Sequence, residues 1–323
     1  MGNAVDTGVP SDASGKSLAS RQQGSVGWTT RPMTAALDPG KGIAADIPVG
    51  LRTTKCISDF VLAHEAPARY NATSNVFGIC FSTAEIVDLA ETIVSEPVPK
   101  GGGPRLLVTA NVEHVVQLRT NAHFRDAYAS AWVRTADGFP VYRYARIRGV
   151  DIPSRVTGAD LFASVMTRLD PAVHRCFFIA NKEDTGEALR TWLLTQGFAR
   201  DSIEVCVPPL CFELDEDYSN KLASRVREHR PTHLFIGLGA PKSEIWCYQN
   251  RQTIGDCYIM SVGAGLEFFV GLKKRAPAIL QKIGLEWLWR LGHEPQRLSY
   301  RYLIQSWGIL IAIADDLLFD HRV

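Results

Sequence analysis

The sequence has almost no charge bias. Its 35 Lys and Arg stand against 34 Asp and Glu, a formal net charge of +1. That balance gives no global electrostatic reason to bind nucleic acid, and no nucleic-acid partner is expected. Tight cysteine pairs are also lacking. The seven cysteines are an odd, scattered set, which disfavours a disulfide framework and points to free thiols in a reducing cytoplasm. The first 25 residues are polar and lack an apolar segment, so they do not read as a signal peptide. Long apolar runs are missing too. The longest, 304–313, is interrupted by Gln305 and Ser306 and falls short of the roughly 20 residues a membrane-spanning helix needs. No Walker loop, complete GxGxxG fingerprint or GxSxG elbow occurs. A DxD nucleotide-sugar motif is not evident, and neither is a compact His/Cys/Asp metal constellation. Cys206 and Cys211 with His229 and His233 match no standard zinc spacing, and buried thiols are the plainer reading.

What is present is alternation. Residues 1–50, rich in Gly, Ser, Thr, Asp and Pro, read as a disordered tail. An apolar pattern begins near Lys55. Asn75 to Phe81 reads as a strand, followed by a helix that Ser82 or Thr83 could cap. From Arg105 onward, strands (105–109, 174–180, 203–207, 233–237, 257–262) alternate with helices of about 10 to 15 residues, the pattern of a parallel sheet with helices on both faces. Short strands are expected at 131–133 and 141–144, around the Asp137-Gly138 pair. The expected class is therefore α/β, a Rossmann-like, mostly parallel sheet, with an α/β domain over 51–270. A helical appendage follows over 271–323, with helices at 277–291 and from Pro295 to about Phe319. Between Gly271 and Arg301 that appendage holds Lys273, Lys274, Arg275, Lys282, Arg290, Arg297 and Arg301 against Glu286 and Glu294. It also carries Trp287, Trp289, Tyr300, Tyr302 and Trp307. Cations beside aromatics suit a membrane interface, although ordinary core packing would use the aromatics equally well.

Open parallel sheets bind ligands at the carboxyl ends of their strands. Three such ends stand out: Thr109-Ala110-Asn111, Gly237-Leu238-Gly239-Ala240-Pro241-Lys242, and Gly263-Ala264-Gly265. Glycines there let backbone approach a ligand, and helix amides can meet a phosphate. Tight strand-to-helix turns use glycine for steric reasons as well. Asp137 lies in Ala136-Asp137-Gly138, and Asp-Gly is first of all a hairpin-turn pair.

Taken in order, NVFGI, TANVEHVVQLRTNAHFRDAY, ADGFPV, RVTGADL, HLFIGLGAPKSE and SVGAGLEFFVGLKKRAPAILQKIGLEWLWRLGHEPQRLSYRY resemble the WecG/TagA/CpsF family, glycosyltransferase family 26. The resemblance spans about residues 75–302. It implies an inverting, metal-independent transferase with no cofactor, moving a sugar from a UDP-sugar to a polyprenyl-diphosphate-linked saccharide. The setting would be cell-surface polysaccharide synthesis, on the cytoplasmic inner face of the bacterial plasma membrane, and a homo-oligomer is compatible with it. The family's base falls on Asp137, and its strand-end Thr and Asn on Thr109 and Asn111. Arg155, which opens RVTG, becomes a candidate for the leaving diphosphate, and the appendage arginines become Arg290, Arg297 and Arg301. Gly237, Gly239, Lys242, Glu244 and Gly263 complete the candidate substrate-binding set. Ser243 departs from the family's usual Gln, which leaves the donor open. Two other classes stay in view: a nucleotide-dependent oxidoreductase, disfavoured by the incomplete fingerprint, and a non-catalytic nucleotide-sugar binding protein, which Ser243 would allow.

Overall fold

The structure, a computed structural model, describes residues 70–318, with side chains from residue 75. The expected tail over 1–50 and the apolar pattern near Lys55 lie outside the described residues.

Six parallel strands form the central sheet: β3 (Arg105–Ala110), β4 (Val133–Ala136), β5 (Cys176–Ile179), β6 (Ile203–Cys206), β7 (His233–Ile236) and β8 (Tyr258–Ser261). Their spatial order is β4-β3-β8-β7-β5-β6. The chain thus runs outward from β3 to β4, crosses to the far side, and returns so that β8 lies between β3 and β7. The strands read as continuous apolar runs because both faces are covered. Successive residues feed opposite cores, as the period of two requires. Phe177, Ile179, Leu234, Ile236 and Ile259 join one buried cluster, and Cys176, Phe178, Phe235, Tyr258 and Met260 join the other. The first cluster is covered by α2 (Val112–Thr120), α3 (Ala122–Ser130), α7 (Glu216–His229) and α8 (Lys242–Gln249). The second is covered by α1 (Ile86–Ser95), α5 (Gly158–Met166), α6 (Glu183–Thr195) and α10 (Gly265–Phe269), and the short α9 (Arg251–Ile254) follows α8.

Three local expectations are corrected. The single strand over Asn75–Phe81 is a hairpin of β1 (Tyr70–Val76) and β2 (Ile79–Ser82). Phe77 and Gly78 both have positive φ, 58° and 74°, the signature of a two-residue primed turn. A phenylalanine is unfavourable there, and tertiary contacts hold it. Its N–H donates to Asp316 Oδ1 at 2.8 Å, and its ring stacks on Tyr144 with centroids 4.8 Å apart. Neither Ser82 nor Thr83 caps α1, which starts after Glu85 without a side-chain cap; the Ser82 hydroxyl accepts from the Ala84 amide instead. The strand expected over 141–144 is part of helix α4 (Phe139–Ile147), with Pro140 in its first turn and Val141 and Ala145 buried one turn apart. The alternation Val-Tyr-Arg-Tyr imitated a strand, but the spacing that buries residues is helical.

The appendage is helical, in more pieces than the sequence suggests: α11 (Ala278–Lys282), α12 (Glu286–His293), α13 (Pro295–Leu303) and α14 (Gly308–Leu318). The first two carry no buried residue. Trp287, Leu288, Tyr300, Leu303, Ile304, Trp307, Leu310 and Ile311 are exposed, so core packing does not account for them. No helix of the described residues is long and apolar enough to cross a membrane. Helix α14 returns to the body through Asp316, which is 2% exposed. Its carboxylate accepts from the Phe77 amide and from the Tyr144 hydroxyl at 2.9 Å, and lies 3.4 Å from Arg148 Nε. Asp316→Ala strands these donors. The expected loss is about 3 kcal/mol of unfolding free energy, measured by chemical denaturation, with Asp316→Asn losing less.

Candidate active site

Residues at the carboxyl ends of β3, β4, β7 and β8 meet at one edge of the sheet. Register brings the first two together: Thr109 pairs with Thr135 and Ala110 with Ala136. The next residues, Asn111 and Asp137, therefore leave the sheet side by side. The Ala110 carbonyl accepts from both the Asp137 and Gly138 amides, at 2.9 and 3.1 Å. This approach requires glycine at 138, since a Cβ there would sit 3.0 Å from Asn111 Cα. Asn111 then caps α2, its side chain accepting from the His114 amide at 3.2 Å. The expected hairpin at Asp137 is instead a strand-to-helix turn, with Gly138 preceding α4.

These ends enclose a cavity of about 290 Å³. Of the residues singled out in the sequence, Thr109, Asn111, Asp137, Gly237, Gly239, Glu244, Gly263, Arg290, Arg297 and Arg301 line it. Two do not. Arg155 donates to the Asp137 backbone carbonyl at 3.2 Å and to that of Gln281 at 3.4 Å, with Glu286 3.8 Å away. It braces the Asp137 turn against the appendage from outside the cavity. Lys242 is paired with Glu213 at 2.9 Å. Ser243 is buried, and its hydroxyl donates to the Gly239 carbonyl at 3.3 Å. An Asp-x-Asp run does occur, contrary to the sequence reading, at Asp215-Glu216-Asp217. It opens α7, where Asp215 caps the helix, and it does not line the cavity. His233 is held in the core by the Ile93 carbonyl and the Thr232 hydroxyl. No group of three or more His, Cys, Asp or Glu among the described residues is placed to hold a metal ion.

Asp137 lies partly buried in the cavity wall. Its Oδ2 accepts from the Gly158 amide at 3.3 Å. Gly158 in turn sits against Thr109, whose Oγ1 would lie 3.1 Å from a Cβ on that glycine. Burial, reinforced by the nearby Glu286 carboxylate, raises the Asp137 pKa to about 6. Arg155, the Gly158 amide and Arg290 oppose the rise. The result is a carboxylate still ionised near neutrality and more basic than an ordinary aspartate, as proton abstraction requires.

The wall opposite is cationic, and the appendage supplies it. Lys273 pairs with Glu267 at 2.8 Å and Glu294 at 3.3 Å. Arg275 is bound by Asp160, which also meets the Thr157 hydroxyl. Arg301 is paired with Glu113, and Arg297 with Glu294 at 2.5 Å. Arg290 lies over the Phe268 ring, 5.8 Å from its centroid, and has no carboxylate within ion-pair distance among the described residues. Sequence reasoning named three of these arginines. It counted Lys273 and Arg275 only as appendage charge and missed Glu113, His114, Glu267 and Glu286 as site residues. Glu113 and His114 follow Asn111 within the first turn of α2, so a strand-end asparagine that caps a helix was the available signal.

Glu244 is 1% exposed. Burial, with Glu113 nearby, raises its pKa to about 7. In the unfolded chain this carboxyl releases its proton near pH 4.5. The folded protein keeps the proton until about pH 7, so the stabilisation present at low pH is lost as pH rises through neutrality. Buried His114, with a pKa lowered to about 3, acts in the opposite direction and costs stability as pH falls below about 6.5. Comparison of a variant with wild type isolates the carboxyl. Relative to wild type, Glu244→Gln should gain roughly 2–3 kcal/mol of unfolding free energy between pH 5 and pH 8.5, measured by urea unfolding at each pH.

The geometry agrees with what the chain is similar to. Residues 74–322 match the model of the Glycosyl transferase WecG/TagA/CpsF family. Two relatives from Staphylococcus aureus, strains MRSA252 and NCTC 8325, are named N-acetylglucosaminyldiphosphoundecaprenol N-acetyl-beta-D-mannosaminyltransferase. Each is 24% identical over 223 residues, covering 68% of this chain and 84% of the relative. Because the family match covers more than half of the chain, the chain belongs to the WecG/TagA/CpsF family of glycosyl transferases.

Proposed function

We propose that this enzyme transfers a sugar from a UDP-sugar to a polyprenyl-diphosphate-linked saccharide, with inversion and without a metal. The observation that carries the reading is Asp137, a carboxylate of raised basicity in the same cavity as the appendage cations. Asp137 takes the proton of the acceptor hydroxyl as that oxygen bonds to the anomeric carbon of the donor. The bond from that carbon to the diphosphate breaks, and UDP leaves with the electron pair. Attack on the face opposite the leaving group inverts the centre.

The departing diphosphate gathers negative charge, which fixed cations stabilise. Arg290 is the best placed, because among the described residues its guanidinium has no ion-paired carboxylate to give up and its planar fork fits two phosphate oxygens. Arg297 is half exposed, and its pair with Glu294 spans one helical turn. Such a pair holds by less than about 1 kcal/mol, so a diphosphate can displace it. Asn111, Arg301 and the turns at Gly237, Gly239 and Gly263 complete the walls that would hold the donor. Arg155 keeps the Asp137 turn in place and acts on transfer indirectly.

The acceptor named for the two relatives carries undecaprenol, which suggests an acceptor of that class and an N-acetylhexosaminyl donor here. The exposed face of α12, α13 and the segment through Ile311 would bring the site to the cytoplasmic leaflet of the plasma membrane. Indole and phenol rings suit the interface, and Lys and Arg suit anionic headgroups.

Asp137→Asn should lower turnover by 100-fold or more (about 10²–10⁴ for a lost general base) while leaving the unfolding transition cooperative. Turnover near wild type on a lipid-linked acceptor would remove Asp137 as the base. In wild type, kcat/KM should rise with pH through about 6 as the carboxylate ionises. Arg290→Ala should cut kcat by roughly 10²-fold and weaken UDP. In vesicle flotation, the double variant Trp307→Glu, Leu310→Glu should lose binding to phosphatidylglycerol vesicles, and wild-type binding should fall as salt rises. Flotation indifferent to both would count against the membrane face.

A further inference from the structure

The cavity has a second carboxyl that proton abstraction does not use. Glu244 lies on α8 and lines the same cavity as Asp137. One of its oxygens, Oε2, has no hydrogen-bond partner, although the residue is 1% exposed. A buried acceptor or donor left without a partner costs on the order of 1–3 kcal/mol, so the position calls for a bond that forms when the cavity fills. His114 lines the same cavity. Its Nδ1 meets the Tyr128 hydroxyl at 2.5 Å, and its Nε2 makes no hydrogen bond among the described residues. Burial and Arg301 keep the imidazole neutral, so in either tautomer Nε2 is left able to bond a ligand.

This corner is unsuited to phosphate. Glu113 stands next to Glu244 and already occupies Arg301. Arg155 and Arg290 act on the Asp137 carboxylate, whereas the charge that acts on Glu244 is that of Glu113. A neutral group with N–H or O–H donors fits instead: it meets the orphaned oxygen on one side and the imidazole on the other. Burial keeps the Glu244 carboxyl protonated up to neutrality, so it can donate as well as accept. Asp137 and Glu244 line one cavity, so the two carboxyls face one space rather than separate sites.

We propose that Glu244 and His114 form a hydrogen-bonding subsite that grips a hydroxyl or amide of the donor's sugar while its diphosphate lies against the arginines. This rests on the UDP-sugar reading given above. The same chemistry exists on the uracil and ribose, and two ligands separate the sources. Calorimetric titration of the full chain with UDP and with UDP-N-acetylmannosamine, for wild type, Glu244→Ala and Glu244→Gln, tests it. Glu244→Ala should weaken the UDP-sugar about tenfold, the worth of one good hydrogen bond, and leave UDP within about twofold. Glu244→Gln, whose amide both donates and accepts, should recover most of the loss and serves as the variant least prone to misfold. Equal weakening of both ligands would assign the corner to the nucleoside and overturn the proposal. No weakening of either would overturn it too. If wild type bound neither ligand, the UDP-sugar reading itself would fail, an outcome distinct from an unchanged variant of a binding-competent enzyme.

Discussion

Two hydrogen bonds to one oxygen organise this molecule. The Ala110 carbonyl takes the amides of Asp137 and Gly138, and that clamp locks the end of β4 against the end of β3. From it follow the cap that Asn111 places on α2, the need for a residue without Cβ at 138, and the aim of the Asp137 carboxylate into the cavity. The Gly158 amide and the bracing Arg155 add to an orientation that the clamp has already set. A parallel pair suits this task. Both strands end at the same edge, so the residues that follow them leave the sheet in the same direction.

The cations show the opposite logic. They are held by carboxylates: Lys273 by Glu267 and Glu294, Arg275 by Asp160, Arg297 by Glu294, Arg301 by Glu113. Such pairs keep the charges positioned and lower their cost in a partly enclosed space. They also grade how readily each can turn to a ligand. The doubly bonded Arg275 is committed to its partner, the exposed Arg297 pair is weak, and Arg290 lies over an aromatic face with no carboxylate at ion-pair distance among the described residues. The donor set is thus ordered before any ligand arrives.

Much of this was legible in the residues. The sheet could be read because its strands are short apolar runs buried on both faces, separated by amphipathic helices. The strand ends could be read from Thr109, Asn111 and the glycines that follow β7 and β8. What could not be read was tertiary in origin. Phe77 sits in a turn that its local sequence disfavours, and the contacts that hold it come from Asp316 and Tyr144, far along the chain. Val141 to Tyr144 alternates like a strand, and only the placement of Pro140 and the buried pair Val141 and Ala145 shows a helix. The family resemblance puts Arg155, which opens the RVTG element, at the diphosphate, but its guanidinium donates to the backbone carbonyls of Asp137 and Gln281. The rise of Asp137 to about 6 comes first from burial and then from Glu286, 149 positions later, and no local pattern contains either.

The bond from the Phe77 amide to Asp316 spans 239 positions. It has a temporal meaning. A ribosome delivers Asp137 with β4, well before the appendage cations and Asp316. A nascent chain that ends before residue 273 carries the carboxylate of the cavity without the appendage cations that share it.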